Sequence, residues 1–169
     1  TLVAVFRINI AEEQNCYTTL FQTGEQLNQD IARLINYDKE QLESLAGIFA
    51  GYDNLNDEIV MNIVSNYRQC GMVSGLEILL PDNTLIVRDG TMTSVEGNMD
   101  FAKEAKKGAY LTEVGTDILD SDKRVLYSVV PIVKDGEVTG ILRGVINPDE
   151  LQDVWNINLY GARADIYIV

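Results

Sequence analysis

Arg143 stands inside an apolar run, Gly140-Ile141-Leu142-Arg143-Gly144-Val145-Ile146, and a guanidinium there needs an acid or a polar cavity around it. In a cavity it would grip a carboxylate bidentately. Against an acid it would only close an internal ion pair, and Glu113 and Asp117 are the candidate partners. Ser128 is the second residue with latent chemistry, but a serine nucleophile needs a base, and the chain has no histidine. Nothing in the spacing supports a Ser-Lys pair. Asp117, Asp120 and Asp122 resemble scattered calcium ligands, yet the stretch lacks the glycine and terminal glutamate of an EF-hand loop. Cys16 and Cys70 have no CxxC or Cys/His spacing, which argues against zinc; one disulfide and two free thiols both stay open. No catalytic residue, metal or cofactor is therefore expected.

The charge balance narrows the partners. Lys and Arg number 13 against 26 Asp and Glu, a net charge of −13. Neutralising phosphates takes a cationic surface, so nucleic acid is excluded, and docking on an anionic membrane surface is disfavoured. With 169 residues and 46% apolar content, the chain is expected to be one globular domain, or one and a fragment. No apolar run reaches the ~18 residues of a membrane span. The opening "TLVAVFRINI" reads either as the tail of a membrane helix meeting its interface or as an ordinary first helical turn or strand.

These residues must be positioned by elements that the pattern announces. Leu20, Leu27, Ile31, Leu34, Leu42, Leu45 and Phe49 recur at threes, fours and sevens and predict one amphipathic helix from about Glu12 to Ala50, with a bend allowed near Asn36–Lys39. Such a helix spans roughly 50–60 Å, longer than a compact domain needs, and is expected to serve as a stalk or to pair with a second chain. Asp57 caps a second helix, Glu58 to Gln69, which Gly71 ends. The period then changes to that of strands: "MVSGLEILL" and "TLIVRDG" flank a Pro-Asp-Asn turn. A loop and short helix near Phe101–Lys106 follow, then strands in "AYLTEVGTDIL", "RVLYSVVPIV" and "EVTGILRGVI". A helix beginning at Pro148 and a last strand, "ADIYIV", close the chain. The fold class is α+β: a long amino-terminal helix packed on a central antiparallel sheet of five or six strands.

The Asp135-Gly136 pair is a two-residue hairpin turn. Pairing Lys134 with Glu137 and continuing without interruption sets Ser128 opposite Arg143, Leu126 opposite Val145 and Val130 opposite Ile141. Tyr127, Val129, Leu142 and Gly144 then occupy the other face.

The long first helix, the "LEILLPDNTLIVRDG" hairpin, "FAKEAKKGAYLTEV" and above all "VLYSVVPIVKDGEVTGILRGVINPDEL" resemble an extracellular Cache sensor domain, the PAS-like ligand-binding module of bacterial membrane signalling proteins. The resemblance covers nearly the whole sequence. It implies an extracytoplasmic domain of a membrane receptor that reports to a diguanylate cyclase, a histidine kinase or a chemoreceptor module. It divides the chain into a stalk helix and loop (1–56), a sensor module (57–156) and a terminal strand (157–169) that either opens a second module or completes the sheet. It also places a pocket on one sheet face, under the segment between the second and third strands. Arg143, Ser128 and Leu126 would line it, with Phe101 and Tyr110 as lid or wall. The amino-acid-binding members carry Arg-x-Trp-Tyr in that segment and an aspartate on the fifth strand. Here Asp100 and Phe101 stand near the Trp-Tyr positions and Val145 at that of the aspartate, so a small organic acid is expected over an α-amino acid. The partners implied are that ligand and a second copy of the chain, paired through the long helix. A ligandless dimerisation module is the alternative; an enzyme is the third reading, disfavoured by the missing histidine.

Overall fold

A computed structural model of the chain describes residues 2–148, 158–159 and 162–163. It separates into two units, one ending at Asn36 and one beginning at Tyr37. Helix α1 runs over Leu2–Phe49, so it starts well before the periodic stretch. Within the first unit Tyr17 and Phe21, one turn apart, are each 72% exposed. Asp30 accepts hydrogen bonds from Gln26 and Arg33 on its own helix face.

In the second unit the last turns of α1 bury Leu42, Ala46 and Phe49, the spacing of a helix with one face in a core. Helix α2 (Glu58–Ser65) is capped by Asp57, whose carboxylate accepts from Ile59 N at 2.9 Å, and it buries Val60 and Val64. It stops short of the expected Gln69, with Asn66 as its C-cap donating to Asn62 O from both its backbone and side-chain N–H groups.

Seven strands follow: β1 (Val73–Leu79), β2 (Thr84–Ile86), β3 (Met92–Ser94), β4 (Tyr110–Leu111), β5 (Gly115–Thr116), β6 (Arg124–Lys134) and β7 (Glu137–Ile146). They form one sheet ordered β3-β2-β1-β7-β6-β4, with β5 also pairing β6, and every pairing is antiparallel. The fold class is the expected one. β3 was not foreseen, and the long third strand reduces to the two-residue β4 and β5. Two further short strands, β8 (Asn158–Leu159) and β9 (Ala162–Arg163), pair only with each other. The helix expected from Pro148 and the strand "ADIYIV" fall outside the described residues, as does the side chain of Cys16. Among the described residues no helix is long and apolar enough to cross a membrane.

The central hairpin turns as predicted on Asp135 (φ 52°) and Gly136 (φ 87°), the left-handed pair that a two-residue turn demands. Its register is not as predicted. Lys134 pairs with Glu137 and Val133 with Val138, but Ile132 then pairs with Gly140, leaving Thr139 as an extra residue. Beyond this bulge each partner is displaced by one, so Val129 faces Arg143, Ser128 faces Gly144 and Leu126 faces Ile146. A one-residue slip carries every side chain to the opposite face. Ser128 and Leu126 therefore lie on the face away from Arg143, whereas Tyr127, Val129, Ile141 and Val145 share its side.

The two faces are filled differently. On one, Gly140 and Gly144 leave room for helix and strand side chains: a Cβ at Gly144 would sit 2.8 Å from Leu42 Cδ1 and 3.0 Å from Val73 Cγ2, and one at Gly140 would sit 2.4 Å from Leu55 Cδ1. The other carries a second cluster built from Leu79, Leu85, Val87, Val95, Val125, Tyr127, Val129, Ile141 and Val145.

Asp38 ties the end of α1 to the start of β1. Its buried carboxylate accepts from Met72 N at 3.0 Å, and burial pushes its pKa up against the lowering effect of that bond. The approach depends on Gly71, which has φ +63° and whose Cβ, were there one, would fall 1.9 Å from Asp38 Oδ1. Gly71→Ala is therefore expected to cost about 2–4 kcal/mol, from left-handed strain plus a displaced buried acceptor. Urea unfolding reads this, and an unchanged midpoint would rule the strap out.

Candidate ligand-binding site

The floor of the second face is a chain of four charged groups. Glu77 of β1 stands directly across from Arg143 of β7 and is fully buried. Arg143 Nη1 lies 3.4 Å from Glu77 Oε2, and Arg88 Nη1 lies 3.5 Å from Glu77 Oε1. Arg88 in turn donates through Nη2 to Asp117, itself buried. Arg88 reaches this line because β1 has a glycine beneath its stem: a Cβ at Gly75 would be 3.1 Å from Arg88 Cδ. The signs alternate, Arg143, Glu77, Arg88, Asp117, and cancel.

Arg143 is also held from above and below. Its guanidinium carbon is 3.7 Å from the centre of the Tyr127 ring, a cation–π stack, and Nη1 is 3.1 Å from Met99 Sδ. Neither Glu77 oxygen has a hydrogen-bond donor among the described residues. Burial accordingly raises the Glu77 pKa, with Arg143 and Arg88 opposing and Asp117 adding to the rise.

Over Arg143, the one member of this line that reaches it, opens a cavity of about 500 Å3, a size that suits a small ligand. Leu79, Met99, Val129 and Ile141 supply apolar wall, and Arg143 supplies charge from the sheet. Opposite stand Glu104, Lys107, Tyr110 and Glu113, from the short helix α3 (Phe101–Glu104), capped by Asp100, and the segment after it. Glu104 accepts from Lys107 Nζ at 2.8 Å and from the Tyr110 hydroxyl. Burial would raise the Glu104 pKa, but these two bonds and the charges of Lys107 and Arg143 outweigh it and hold the carboxyl below its usual range. The Tyr110 hydroxyl is pushed up, first by burial and then by its bond to Glu104.

Of the five residues the sequence nominated, the structure brings Arg143 and Tyr110 to one cavity. Phe101 packs into the apolar cluster beside it, its backbone N–H held by Asn83 Oδ1 at 2.9 Å. Ser128 and Leu126 are the corrections, placed on the opposite face by the Thr139 bulge. The acid beside Arg143 is Glu77; Asp117 holds Arg88, and Glu113 lines the cavity. Glu77 was missed although its signal was there, a lone acid in the apolar run "GLEILL".

No protein-family model matches the chain, and no curated protein sequence matches it. Solved structures do. The ligand-binding domain of the Pseudomonas aeruginosa amino acid chemoreceptor PctC, in complex with GABA, aligns with a TM-score of 0.63 at 18% identity over 86% of this chain and 68% of that one. The ligand-binding domain of Mlp24 with asparagine aligns with a TM-score of 0.61 at 16% identity, over 80% and 59%. That of the Campylobacter jejuni chemoreceptor Tlp3 with 4-methylisoleucine gives 0.55 at 16%, over 73% and 55%. The fold is thus the one that ligand-binding sensor domains of chemoreceptors adopt, the Cache-like fold that the sequence resembles. The chain spans 55% to 68% of the length of these three domains.

Proposed function

We propose that this chain is the extracytoplasmic ligand-sensing domain of a transmembrane signalling receptor, and that it takes a small organic acid into the cavity over Arg143. The observation that carries the reading is a guanidinium fixed on Tyr127 and lining a cavity that is apolar on one side only. A fixed cation in such a setting suits a carboxylate, because the geometry is preorganised and the apolar side strengthens the attraction. The ligands named for the three related structures, GABA, asparagine and 4-methylisoleucine, each carry a carboxylate, which supports the same choice. Tyr110 and the Glu104–Lys107 pair close the far side. Residues 57–156 form the sensing module in this reading and residues 1–56 the stalk. Residues 157–169 either complete the sheet or begin a second module. Occupancy shifts the stalk against its mate in a homodimer, toward a diguanylate cyclase, histidine kinase or chemoreceptor output. The exposed Tyr17 and Phe21 suit such a helix pairing.

A thermal-shift screen of small carboxylic acids, amines and amino acids tests this. Ligand at about 100 times its dissociation constant adds about 2.7 kcal/mol of stability. Arg143→Ala is expected to weaken a carboxylate hit about 10- to 100-fold, the worth of a charge-assisted bond. A hit that survives this change unaltered removes Arg143 from the site. A screen flat across all classes leaves the ligandless dimerisation module as the better reading.

A further inference from the structure

Glu77 sits behind the arginine that the proposed ligand would touch, and the surroundings of its carboxylate have a consequence for binding. The groups facing it are Arg143 from β7, Arg88 from the turn after β2, Asp117 from the turn after β5 and the Tyr127 hydroxyl from β6. Glu104 reaches the same arginine from the far wall. With everything ionised, the line from Arg143 to Asp117 holds two cations and two anions. A carboxylate arriving on Arg143 makes that two cations and three anions in a buried setting, where like charges are costly. Arg88 cannot compensate, because Asp117 already holds it. Glu77 can. It is fully buried, its oxygens are only at ion-pair distance from the two arginines, and no hydrogen-bond donor among the described residues fixes it in the ionised form.

We propose that Glu77 takes up one proton from solvent when the cavity takes an organic anion onto Arg143, so that occupancy of the site rises as the medium acidifies. This rests on the carboxylate reading given above and adds a second ligand to it, the proton. The balance is simple: one anion and one proton enter together, and the buried charge count is unchanged. Glu77 acts through Arg143 and does not touch the organic ligand; it is a positioning residue that sets which net charge the site accepts.

The probe is isovalerate, a branched monocarboxylate that suits a cation beside apolar wall and stays ionised at both about pH 6 and about pH 8. Calorimetric titration of the wild-type domain is run at both values, in buffers of low and high ionisation heat. The expected result is affinity falling with pH by up to about tenfold per unit, with close to one proton absorbed per isovalerate bound. Glu77→Gln, which carries the neutral charge state permanently, should bind more tightly than wild type at the higher pH and lose the pH dependence. Wild-type binding that is flat with pH and absorbs no proton overturns the inference alone, with no reliance on the variant folding. Binding by Glu77→Gln that is weaker than wild type at both values overturns it too. If isovalerate binds neither protein at either pH while Glu77→Gln melts cooperatively, the titration is repeated with the acid that the thermal-shift screen returns; a screen with no acid hit sinks the carboxylate reading, and this inference falls with it.

Discussion

Replacing Arg88 with alanine should lower stability by about 2–4 kcal/mol at neutral pH, a fall in Tm on the order of 10 °C. The change strips Asp117 of its donor and Glu77 of one of its two neighbouring cations. Removing one member of a buried charged set is costly because the others stay behind, desolvated and uncompensated. The loss should also depend on pH in a definite direction. Burial holds the folded-state pKa of Glu77 above the 4.5 of a free glutamate. Between the unfolded and folded values the native state binds the extra proton, so stability falls as pH rises through that window. Without Arg88 the folded value moves further up and the window widens. The gap between wild type and Arg88→Ala should thus be largest above the folded value and narrow as pH falls towards the unfolded one. Paired thermal melts across that range measure it. A gap that does not vary with pH would assign the loss to packing of the arginine stem over Gly75; no gap at all would dispose of the charged line as a structural element.

Gly140→Val should be costly too. Its Cβ would start 2.4 Å from Leu55 Cδ1 and 3.2 Å from Ile132 Cδ1, and overfilling a packed layer costs about 1–3 kcal/mol or more. Circular dichroism melts read the loss, and a wild-type-like midpoint would dispose of the close packing given to this face. The bulge beside it behaves differently. Deleting Thr139 runs Val138 directly into Gly140 and leaves the existing partners in place, Ile132 with Gly140, Val129 with Arg143 and Ser128 with Gly144. The deletion should therefore keep the fold and a cooperative melt, and loss of cooperative unfolding would mean that the extra residue itself holds the register. Thr139→Ser, which keeps both the residue count and the hydroxyl bonded to Ile132 O, should leave the melt nearly unchanged.

The same bulge marks the boundary of what the sequence could tell. The Asp-Gly turn, the capped α2 and the change from helical to strand period are written in local chemistry and stood as read. A bulge has no such signature: Val138 and Thr139 are ordinary strand residues, and the extra residue is accommodated only by packing on both faces. The site inherited the error, since Ser128 and Leu126 were placed by counting along an unbroken ladder. Arg143 could be singled out without the register, because its oddness is a charge in an apolar strand. Tyr110 was nominated through the resemblance of its segment. Glu77 is the same oddness one strand away. Two buried opposite charges in neighbouring strands are a pairing signal, and it points to Glu77 where the expected partners were Glu113 or Asp117. β3 escaped notice because Met92-Thr93-Ser94 is exposed and has no apolar alternation to read.

Strand β7 carries Arg143 on one side and Gly140 and Gly144 on the other, with Leu42 of α1 resting at the second glycine. Mechanically, this is a thin plate with no cushion on its helix side. A larger residue at these positions would offer rotamers that absorb small displacements, as flexible side chains do. Glycine offers none, so the backbone itself bears on the helix. A pull on the guanidinium of even a fraction of an ångström is handed to α1 at the thickness of one polypeptide chain, with little lost to side-chain give. In the proposed reading, sensitivity to a small ligand and intolerance of any added methyl group at these two glycines are then two expressions of one stiffness.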